Sequence, residues 1–220
     1  MIEFREVSKF YDTVTALRNI NLTIEKGEMV FLTGPSGAGK TTFLKLIYAA
    51  EFPDNGKVVV SQWESDRLSG SSIPKLRRNI GVVFQDFRLL SNRNVFDNVA
   101  LALRVRKVPE KEIKPTVLDA LKMVNLRHKT DGYPSELSGG EQQRVVIARA
   151  IVGDPVILLA DEPTGNLDPD TAAGIIRIFK EINARGVTML VATHNPLLFK
   201  DTGKRVLRLD NASLVREEQG

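Results

Sequence analysis

Short apolar runs alternate with segments of helical spacing along most of the chain. Five runs rich in Val, Ile and Leu, each bounded by Gly, Pro or Asp, begin at residues 29 (MVFLT), 57 (KVVV), 80 (IGVVF), 156 (VILLA) and 187 (VTMLVAT). Runs this short and this continuous are typical of strands buried on both faces of a parallel sheet. The pattern predicts an α/β fold with helices on both sides of a mostly parallel central sheet.

The first residues and the middle of the chain depart from this pattern. Residues 2–7 alternate between apolar and polar positions, and residues 16–24 follow after a turn, which predicts an antiparallel β-arm beside the main sheet. Between about Asp86 and Asp154 no strand pattern occurs, and three segments show the apolar spacing of helices. These segments are residues 93–105, 109–124 and 141–152.

The alternation of these patterns predicts one domain with an insertion. A chain of 220 residues is long enough for a single well-filled hydrophobic core. We expect residues 1–85 and 155–220 to form the core with its β-arm, and residues 86–154 to form an inserted helical subdomain. The tail at 216–220 (REEQG) is expected to be frayed.

Composition limits the cellular compartment and the kinds of side-chain chemistry that are expected. The absence of Cys excludes disulfide and thiol chemistry, and no apolar run approaches the roughly 20 residues that cross a bilayer. The first residues lack the basic start and apolar stretch of a signal peptide, so a cytosolic setting is expected. The net charge of +4 is modest and agrees with acidic partners such as nucleotide or anionic lipid.

A phosphate-binding loop follows the first apolar run of the main sheet. The segment GPSGAGKTT matches G-x-x-x-x-G-K-[ST], and it is predicted to bind ATP or GTP with Mg²⁺. Backbone N–H groups and the start of a helix would hold the phosphates, Lys40 would reach the outer phosphates, and the Thr41 hydroxyl would ligate Mg²⁺. Side chains at the glycines would block this approach. The predicted binding residues are Gly34, Pro35, Ser36, Gly37, Ala38, Gly39, Lys40, Thr41 and Thr42.

Polar residues follow three other apolar runs. Asp161 and Glu162 end the run at 156, where Asp161 can hold the water shell of Mg²⁺ and Glu162 can orient or deprotonate the attacking water. A simple turn before Pro163 is the alternative. Gln85 and His194 end two further runs and would reach the same edge of the sheet, Gln85 near Mg²⁺ or the water and His194 near a γ-phosphate, although a lone histidine is often structural.

Taken together, these motifs resemble an ABC-type ATPase over essentially the whole chain. The phosphate loop, Gln85, LSGGEQQR at 137, LLADEP at 158, NLD at 166 and His194 stand in that family's order. The resemblance implies Mg²⁺-dependent hydrolysis of ATP, with Lys40, Gln85, Glu162 and His194 as catalytic residues. Asn195 departs from it, because an Asp commonly follows the histidine.

The LSGGEQQR segment implies a second copy of the chain. Ser138 and the amides of Gly139 and Gly140 precede a helix expected to begin near Glu141, so they form an anion site without catalytic groups. In the family this turn caps the γ-phosphate of ATP held by the partner, which implies a homodimer around two ATP. A plain helix cap by Ser138 is the alternative. The resemblance also implies that Asn166, Leu167 and Asp168 cross the dimer interface and link the two sites, and that Glu141 and Asp168 contribute to nucleotide binding.

The resemblance to the family implies roles for further residues, and each role has a structural alternative. Tyr11 matches the aromatic residue that stacks on adenine, but a structural tyrosine of the β-arm fits too. Residues 86–103 match the region that docks a membrane partner, although Phe87, Leu89 and Leu90 suit an ordinary core equally well. A basic cluster suits nucleic acid or anionic lipid, and no nucleic-acid partner is expected. The cluster is Arg104, Arg106 and Lys107.

Within the family, DEPTGNLD resembles a branch with ATPases of lipoprotein release, macrolide export and cell division. Residues 73–105 most resemble those of cell division, and lipoprotein release and macrolide export remain alternatives. The resemblance implies a location on the inner face of the cell membrane at the division site, an integral membrane partner that controls cell-wall hydrolases, and contacts with other division proteins. A scaffold gated by nucleotide binding alone, or a soluble ABC protein acting on DNA or ribosomes, are the competing functions.

Overall fold

The computed structural model describes residues 1–200 and 202–220. The strands are β1 (Ile2–Tyr11), β2 (Val14–Ile24), β3 (Met29–Thr33), β4 (Asn55–Val60), β5 (Trp63–Glu64), β6 (Ile80–Val83), β7 (Ile157–Asp161), β8 (Thr188–Ala192), β9 (Arg205–Asp210) and β10 (Ser213–Gln219). The helices are α1 (Lys40–Ile47), α2 (Ile73–Arg78), α3 (Val95–Val105), α4 (Glu110–Met123), α5 (Gly139–Ile151) and α6 (Pro169–Ala184).

The main sheet has six strands in the order β10-β9-β3-β8-β7-β6. The five strands from β9 to β6 run parallel, and β10 pairs antiparallel with β9. Helices cover both faces, so consecutive residues of β3 enter different cores: Phe31 joins the cluster under α3 to α6, whereas Val30 and Leu32 join the cluster under α1 and the β-arm. The predicted α/β fold is therefore confirmed.

The smaller sheet is antiparallel, with the order β2-β1-β4-β5. It contains the expected β-arm, but it also contains the run at 57, which we assigned to the parallel sheet. That assignment is wrong, because β4 pairs antiparallel with β1, with Phe4 opposite Val58. Val58, Val59 and Val60 are all buried, so the run lacks the alternation that usually marks an antiparallel strand.

The helices α3, α4 and α5 lie between β6 and β7 in the chain and share one apolar cluster. The signature helix α5 begins at Gly139, whereas we expected its start near Glu141. Ser138 takes an extended conformation and caps the helix, so the two glycines form its first turn. Among the described residues, no helix combines the length and the apolar character that a membrane crossing requires.

The end of the chain is ordered as a strand, and the expectation of a frayed tail is wrong. Glu217 and Gln219 pair with Leu207 and Arg205 across the β9–β10 hairpin. The Arg205 guanidinium also lies 2.6 Å from the Glu217 carboxylate. Charged residues hid this strand from the hydrophobic pattern, because its stability comes from hairpin pairing and an ion pair.

Candidate active site

The phosphate loop joins β3 to α1 and contains three glycines with positive φ. A Cβ on Gly34 would lie 2.2 Å from the carbonyl oxygen of Leu209, and one on Gly39 would lie 2.3 Å from that of Ala16. A Cβ on Gly37 would meet nothing within 4 Å. Two of the glycines are thus required by close packing against neighbouring strands, in addition to the approach of a phosphate that we first considered.

Lys40, the first residue of α1, lies beneath this loop with only 8% of its side chain exposed. Its Nζ donates hydrogen bonds to the carbonyl oxygens of Gly34 (2.7 Å) and Pro35 (3.1 Å). The same Nζ lies 3.7 Å from Oε1 of Glu162. One ammonium group therefore connects the loop to the acidic end of β7.

Thr41 and Asp161 form the oxygen-rich side of the site. The Thr41 hydroxyl donates to Oδ2 of Asp161 at 2.8 Å. Burial raises the pKa of Asp161, and the hydrogen bond from Thr41 opposes that shift. Hydroxyl and carboxylate oxygens are ligands that Mg²⁺ prefers. Among the described residues, no group of three or more His, Cys, Asp or Glu is arranged to hold a metal ion.

Glu162 lies at the centre of the polar contacts, with 11% of its side chain exposed. Its Oε1 is 2.9 Å from Nδ1 of His194, and its Oε2 accepts a hydrogen bond of 3.3 Å from the His194 backbone N–H. Glu162 also has a φ of 46°, a conformation that non-glycine residues rarely adopt and that clusters at functional sites. The contact with the end of β8 fixes the direction of the carboxylate.

A cleft of about 580 Å³ brings most of the predicted site residues together. It is lined by Tyr11, Val14, Ala16, Pro35, Ser36, Gly37, Gly39, Lys40, Thr41, Thr42, Gln85, Asp161, Glu162 and His194. Gly34 and Ala38 are not part of this lining, and Ala38 instead borders a smaller cleft beside Asp210. The carbonyl of Gly34 acts indirectly, through Lys40.

The aromatic end of the cleft is built by the hairpin between β1 and β2. Tyr11 pairs with Val14 across the turn, and Nζ of Lys9 lies 5.4 Å from the centre of the Tyr11 ring. Val14 is 63% exposed at the rim. Sequence reasoning missed Val14 and Ala16; the short turn that places them opposite Tyr11 was the available signal.

The LSGG segment lies outside this cleft, and none of its described residues lines it. The Ser138 hydroxyl accepts a hydrogen bond from the Glu141 N–H (3.3 Å), and the Glu141 carboxylate accepts one from the Ser138 N–H (2.8 Å). These bonds lower the pKa of Glu141. Ser138 and Gly139 are exposed, so the start of α5 presents backbone N–H groups to the outside.

Asp168 adjoins the LSGG segment and caps α6. Its Oδ1 accepts a hydrogen bond of 3.0 Å from the Thr171 N–H. Hydrogen bonding with the side chain and then the backbone of Thr171 lowers the pKa of Asp168. A Cβ on Gly140 would lie 2.4 Å from Cγ2 of Thr171, and one on Gly139 would lie 3.6 Å from Cδ2 of Leu167. The predicted site residues therefore form two groups, one in the cleft and one on a separate exposed turn.

The predicted basic cluster does not form one surface. Arg104 pairs with Asp97 at 2.7 Å and with Glu110 at 3.5 Å. The Arg106 guanidinium turns inward and donates to the carbonyl oxygens of Arg78 and Gly153. Of the three apolar residues considered for docking a membrane partner, Phe87 and Leu89 pack against the core, whereas Leu90 is 41% exposed.

Comparison with known proteins decides the family. A profile described as ABC transporter matches residues 17–165, which is more than half of the chain. The chain belongs to the ABC transporter family. Among curated relatives of this ABC protein, the cell division ATP-binding protein FtsE of Mycobacterium tuberculosis is 50% identical over 221 residues, with 100% of the chain and 96% of the relative covered. FtsE of Bacillus subtilis is 48% identical, with 99% and 96% covered.

Solved structures agree with this family. The dimeric structure of a bacterial ABC transporter cassette is 37% identical and superposes with a TM-score of 0.90, covering 100% of this ABC chain and 98% of the other. The dimeric post-hydrolysis state of the same cassette, bound to ADP and Pi, is 36% identical with the same TM-score and coverage. The resemblance drawn from the motifs is confirmed at the level of family and fold.

Proposed function

We propose that the chain is the ATP-hydrolysing subunit of an FtsE-type assembly: two copies enclose two ATP and drive an FtsX-like membrane partner in cell division and control of cell-wall hydrolysis. The contact of Glu162 with both Lys40 and His194, at the rim of the phosphate loop, carries this proposal. The near full-length similarity to FtsE proteins supports the cell-division role.

The proposed reaction uses Glu162 as the general base. A water molecule attacks the γ-phosphorus, the bond to the oxygen of ADP breaks, and Glu162 takes the proton of the water. Nδ1–H of His194 holds the carboxylate in position, while Lys40 exchanges its loop carbonyls for phosphate oxygens. Gln85 lines the same cleft and orients the water from the β6 side.

Thr41 and Asp161 are proposed to hold Mg²⁺, with Gln85 nearby. When bound, the cation neutralises phosphate charge. The residues fit this role because the two oxygens already lie 2.8 Å apart beside the loop. Tyr11 is proposed to stack on the base of the nucleotide.

The exposed LSGG turn is proposed to complete the partner's site. Ser138 and Gly139 are exposed and Gly140 follows them, and the first backbone N–H groups of this helical turn have no acceptor within the helix. Glu141 keeps the turn rigid through its bond to Ser138. Because this turn lies outside its own chain's cleft, it can only act on another copy. The dimeric state of the similar cassettes supports this arrangement. Asp168, beside the turn, would lie at the same interface.

In the cell, the subunit is proposed to lie on the inner face of the membrane at the division site, where other division proteins meet it. Residues 86–154 would act as the helical subdomain that receives the membrane partner, and residues 1–85 and 155–220 as the catalytic core. The inward turn of Arg106 and the pairing of Arg104 remove two of the three charges that favoured nucleic acid.

The first test replaces Glu162 by Gln. The amide cannot accept the proton, so ATP turnover should fall at least about 100-fold while ATP still binds and the dimer accumulates. Phosphate release and light scattering measure the two effects. Glu181→Gln, an exposed change on α6, should keep the wild-type rate. Near-normal turnover by Glu162→Gln would remove this residue as the base.

A second test asks whether the sites are shared. Lys40→Ala disables a phosphate loop, and Ser138→Arg blocks an LSGG turn, so each homodimer should be inactive. In a mixed dimer, however, the intact loop of one chain meets the intact turn of the other. Mixing equal amounts should therefore restore activity, up to about a quarter of the wild-type rate if sites act independently. Continued inactivity of the mixture, with mixed dimers shown to form, would contradict shared sites.

A further inference from the structure

Lys9 lies over one face of the aromatic ring that borders the nucleotide cleft. Its Nζ is 5.4 Å from the centre of the Tyr11 ring, within the distance at which an aromatic face attracts a cation. Tyr11 lines the cleft, whereas Lys9 is not among the lining residues. Lys9 is therefore placed to act on a bound nucleotide through the ring and not by direct contact.

Two carboxylates hold this ammonium group in place. The Nζ of Lys9 lies 3.4 Å from Oδ1 of Asp54 and 3.8 Å from Oε2 of Glu51. Only 12% of the Lys9 side chain is exposed, so water screens these contacts less than it would on an open surface. The two carboxylates therefore restrict the side chain far more than a surface lysine is restricted.

Asp54 also holds the backbone of the strand that carries Tyr11. Its Oδ2 accepts a hydrogen bond of 2.6 Å from the Phe10 N–H, and its own N–H donates to the Ser8 carbonyl oxygen at 2.9 Å. These two bonds do not involve the charge of Lys9. The end of β1 therefore stays attached to the start of β4 when that charge is removed.

Glu51 connects the same ammonium group to the helix that follows the phosphate loop. The backbone N–H groups of Ala50 and Glu51 both donate to the Lys45 carbonyl oxygen in α1, at 2.9 and 3.4 Å. The first residue of α1 is Lys40, whose side chain lies beneath the phosphate loop. Both ends of the cleft are therefore held relative to one helix, the phosphate end through Lys40 and the aromatic end through Lys9.

We infer that Lys9 is a positioning residue for nucleotide binding: its ammonium group occupies one face of the Tyr11 ring and keeps the other face turned toward the base. The inference rests on the proposed stacking of Tyr11 on the base, and it adds the group that orients the ring. A ring that rotates freely loses this freedom when the base binds, which costs affinity. Attraction by Lys9 restricts the ring before the nucleotide arrives, so binding becomes tighter.

An ion pair that only stabilises the small sheet is the alternative role for Lys9. Lys57, on β4 of the same sheet, is an example of such a pair, because its Nζ lies 2.9 Å from Oε2 of Glu64. Lys57 is not among the residues that line the cleft. Of these two lysines, only Lys9 has its ammonium group over the Tyr11 ring. Lys57 therefore provides a matched control.

Substitution of Lys9 by Met tests the inference, because Met keeps an apolar stem and removes the charge. Calorimetric titration of the full chain with the non-hydrolysable ATP analogue adenylyl imidodiphosphate and Mg²⁺ should show a Kd raised about five- to tenfold. Lys9→Arg, which keeps a cation for the ring, should stay within about twofold of the wild-type Kd. Lys57→Met should leave Kd unchanged. Inorganic tripolyphosphate, which has phosphates and no base, should bind the wild type and Lys9→Met equally well.

A double substitution separates this inference from the proposed function. With Tyr11→Leu already present, Lys9→Met should weaken binding of the analogue no further, because the ring is gone. If Tyr11→Leu alone binds the analogue as tightly as the wild type, the proposed stacking fails and the inference fails with it. If Tyr11→Leu weakens binding and Lys9→Met does not, only the inference fails.

Two further results would also overturn the inference. Lys9→Met may not weaken binding of the analogue and of tripolyphosphate by the same factor, because a loss at both ends of the cleft indicates a general effect on the fold. Additive losses in the double variant would likewise show that Lys9 acts by a route other than the Tyr11 ring.

Discussion

At two glycines of the phosphate loop, neighbouring backbone atoms leave no room for a side chain. The obstacles to a methyl group at Gly34 and Gly39 are the carbonyl oxygens of Leu209 and Ala16, which cannot rotate away as a side chain would. Both residues also have positive φ, which costs an L-residue free energy. The strands around the loop therefore fix its backbone shape.

Substitution of Gly39 by Ala tests this view of the loop. Without nucleotide, the free energy of unfolding should fall by roughly 2 kcal/mol or more, because the clash and the strained φ add. The control is Gly174→Ala in α6, where a Cβ meets nothing within 4 Å. That change should raise the free energy by about 0.5–1 kcal/mol. Urea unfolding measures both, and unchanged stability of Gly39→Ala would contradict the contact.

The meeting of Asp161, Glu162 and His194 was predictable from sequence, because polar residues that end parallel strands share one edge of the sheet. Their individual partners were not. The bonds of Lys40 to the loop carbonyls depend on side-chain packing, which the pattern of apolar runs does not describe. The roles of these residues stay predictions until the variants are measured.

At the scale of elements, the start of α5 depends on a reciprocal cap between Ser138 and Glu141. Each side chain satisfies the backbone N–H of the other residue. The exposed turn therefore has one defined shape before any anion arrives. Both of our sequence interpretations of Ser138, a helix cap and an anion site, are compatible with this geometry, because the cap leaves the first amides of the helix free.

Removal of this cap should destabilise the chain in a pH-dependent way. Ser138→Ala should cost about 1 kcal/mol of unfolding free energy. For Glu141→Gln, the folded pKa of Glu141 lies below its ordinary value of 4.5, so its stabilisation is present above that pH and is lost as the pH falls through the folded pKa. The difference from wild type should thus be largest near neutrality and shrink as the pH falls below 4.5. A constant difference would contradict the role of the charge.

Elements with continuous apolar runs were predicted correctly, but their partners were less certain. The run at β4 has the composition of a parallel strand and lies in the antiparallel sheet, since burial on both faces erases alternation. The strand β10 was missed because its charged and partly exposed residues do not form an apolar run. The pattern of hydrophobic residues indicates which positions are buried, but it indicates only indirectly which strands pair.

At the scale of the whole molecule, two inward arginines join α3 and α5 to segments that flank the main sheet. Arg106, after α3, reaches carbonyls at the ends of α2 and α5, and Arg149, in α5, reaches carbonyls of the segment that follows Gln85. These hydrogen bonds connect α3 and α5 to the segments that precede and follow β6.

Removal of the Arg106 guanidinium should weaken the contact of α3 with the ends of α2 and α5. Arg106→Met keeps apolar volume but leaves two carbonyls without their donor, so the free energy of unfolding should fall by about 1–3 kcal/mol. Amide hydrogen exchange should become faster at the ends of α2 and α5 than elsewhere. Lys107→Met, an exposed neighbour, should change neither. Uniformly faster exchange over the whole chain would indicate general destabilisation and contradict a local link.

The order of strands has one more consequence. Lys40, His194 and Glu162 follow β3, β8 and β7, which have hydrogen-bonded neighbours on both sides, whereas Gln85 follows β6, the last strand of the sheet. Movement of the strand ends before His194 and Glu162 would break hydrogen bonds to two neighbouring strands, whereas movement of the strand end before Gln85 would break hydrogen bonds to one. Gln85 is thus the group whose movement would break the fewest strand hydrogen bonds. Residues of its strand, β6, also line a groove that Arg78 and Arg106 border.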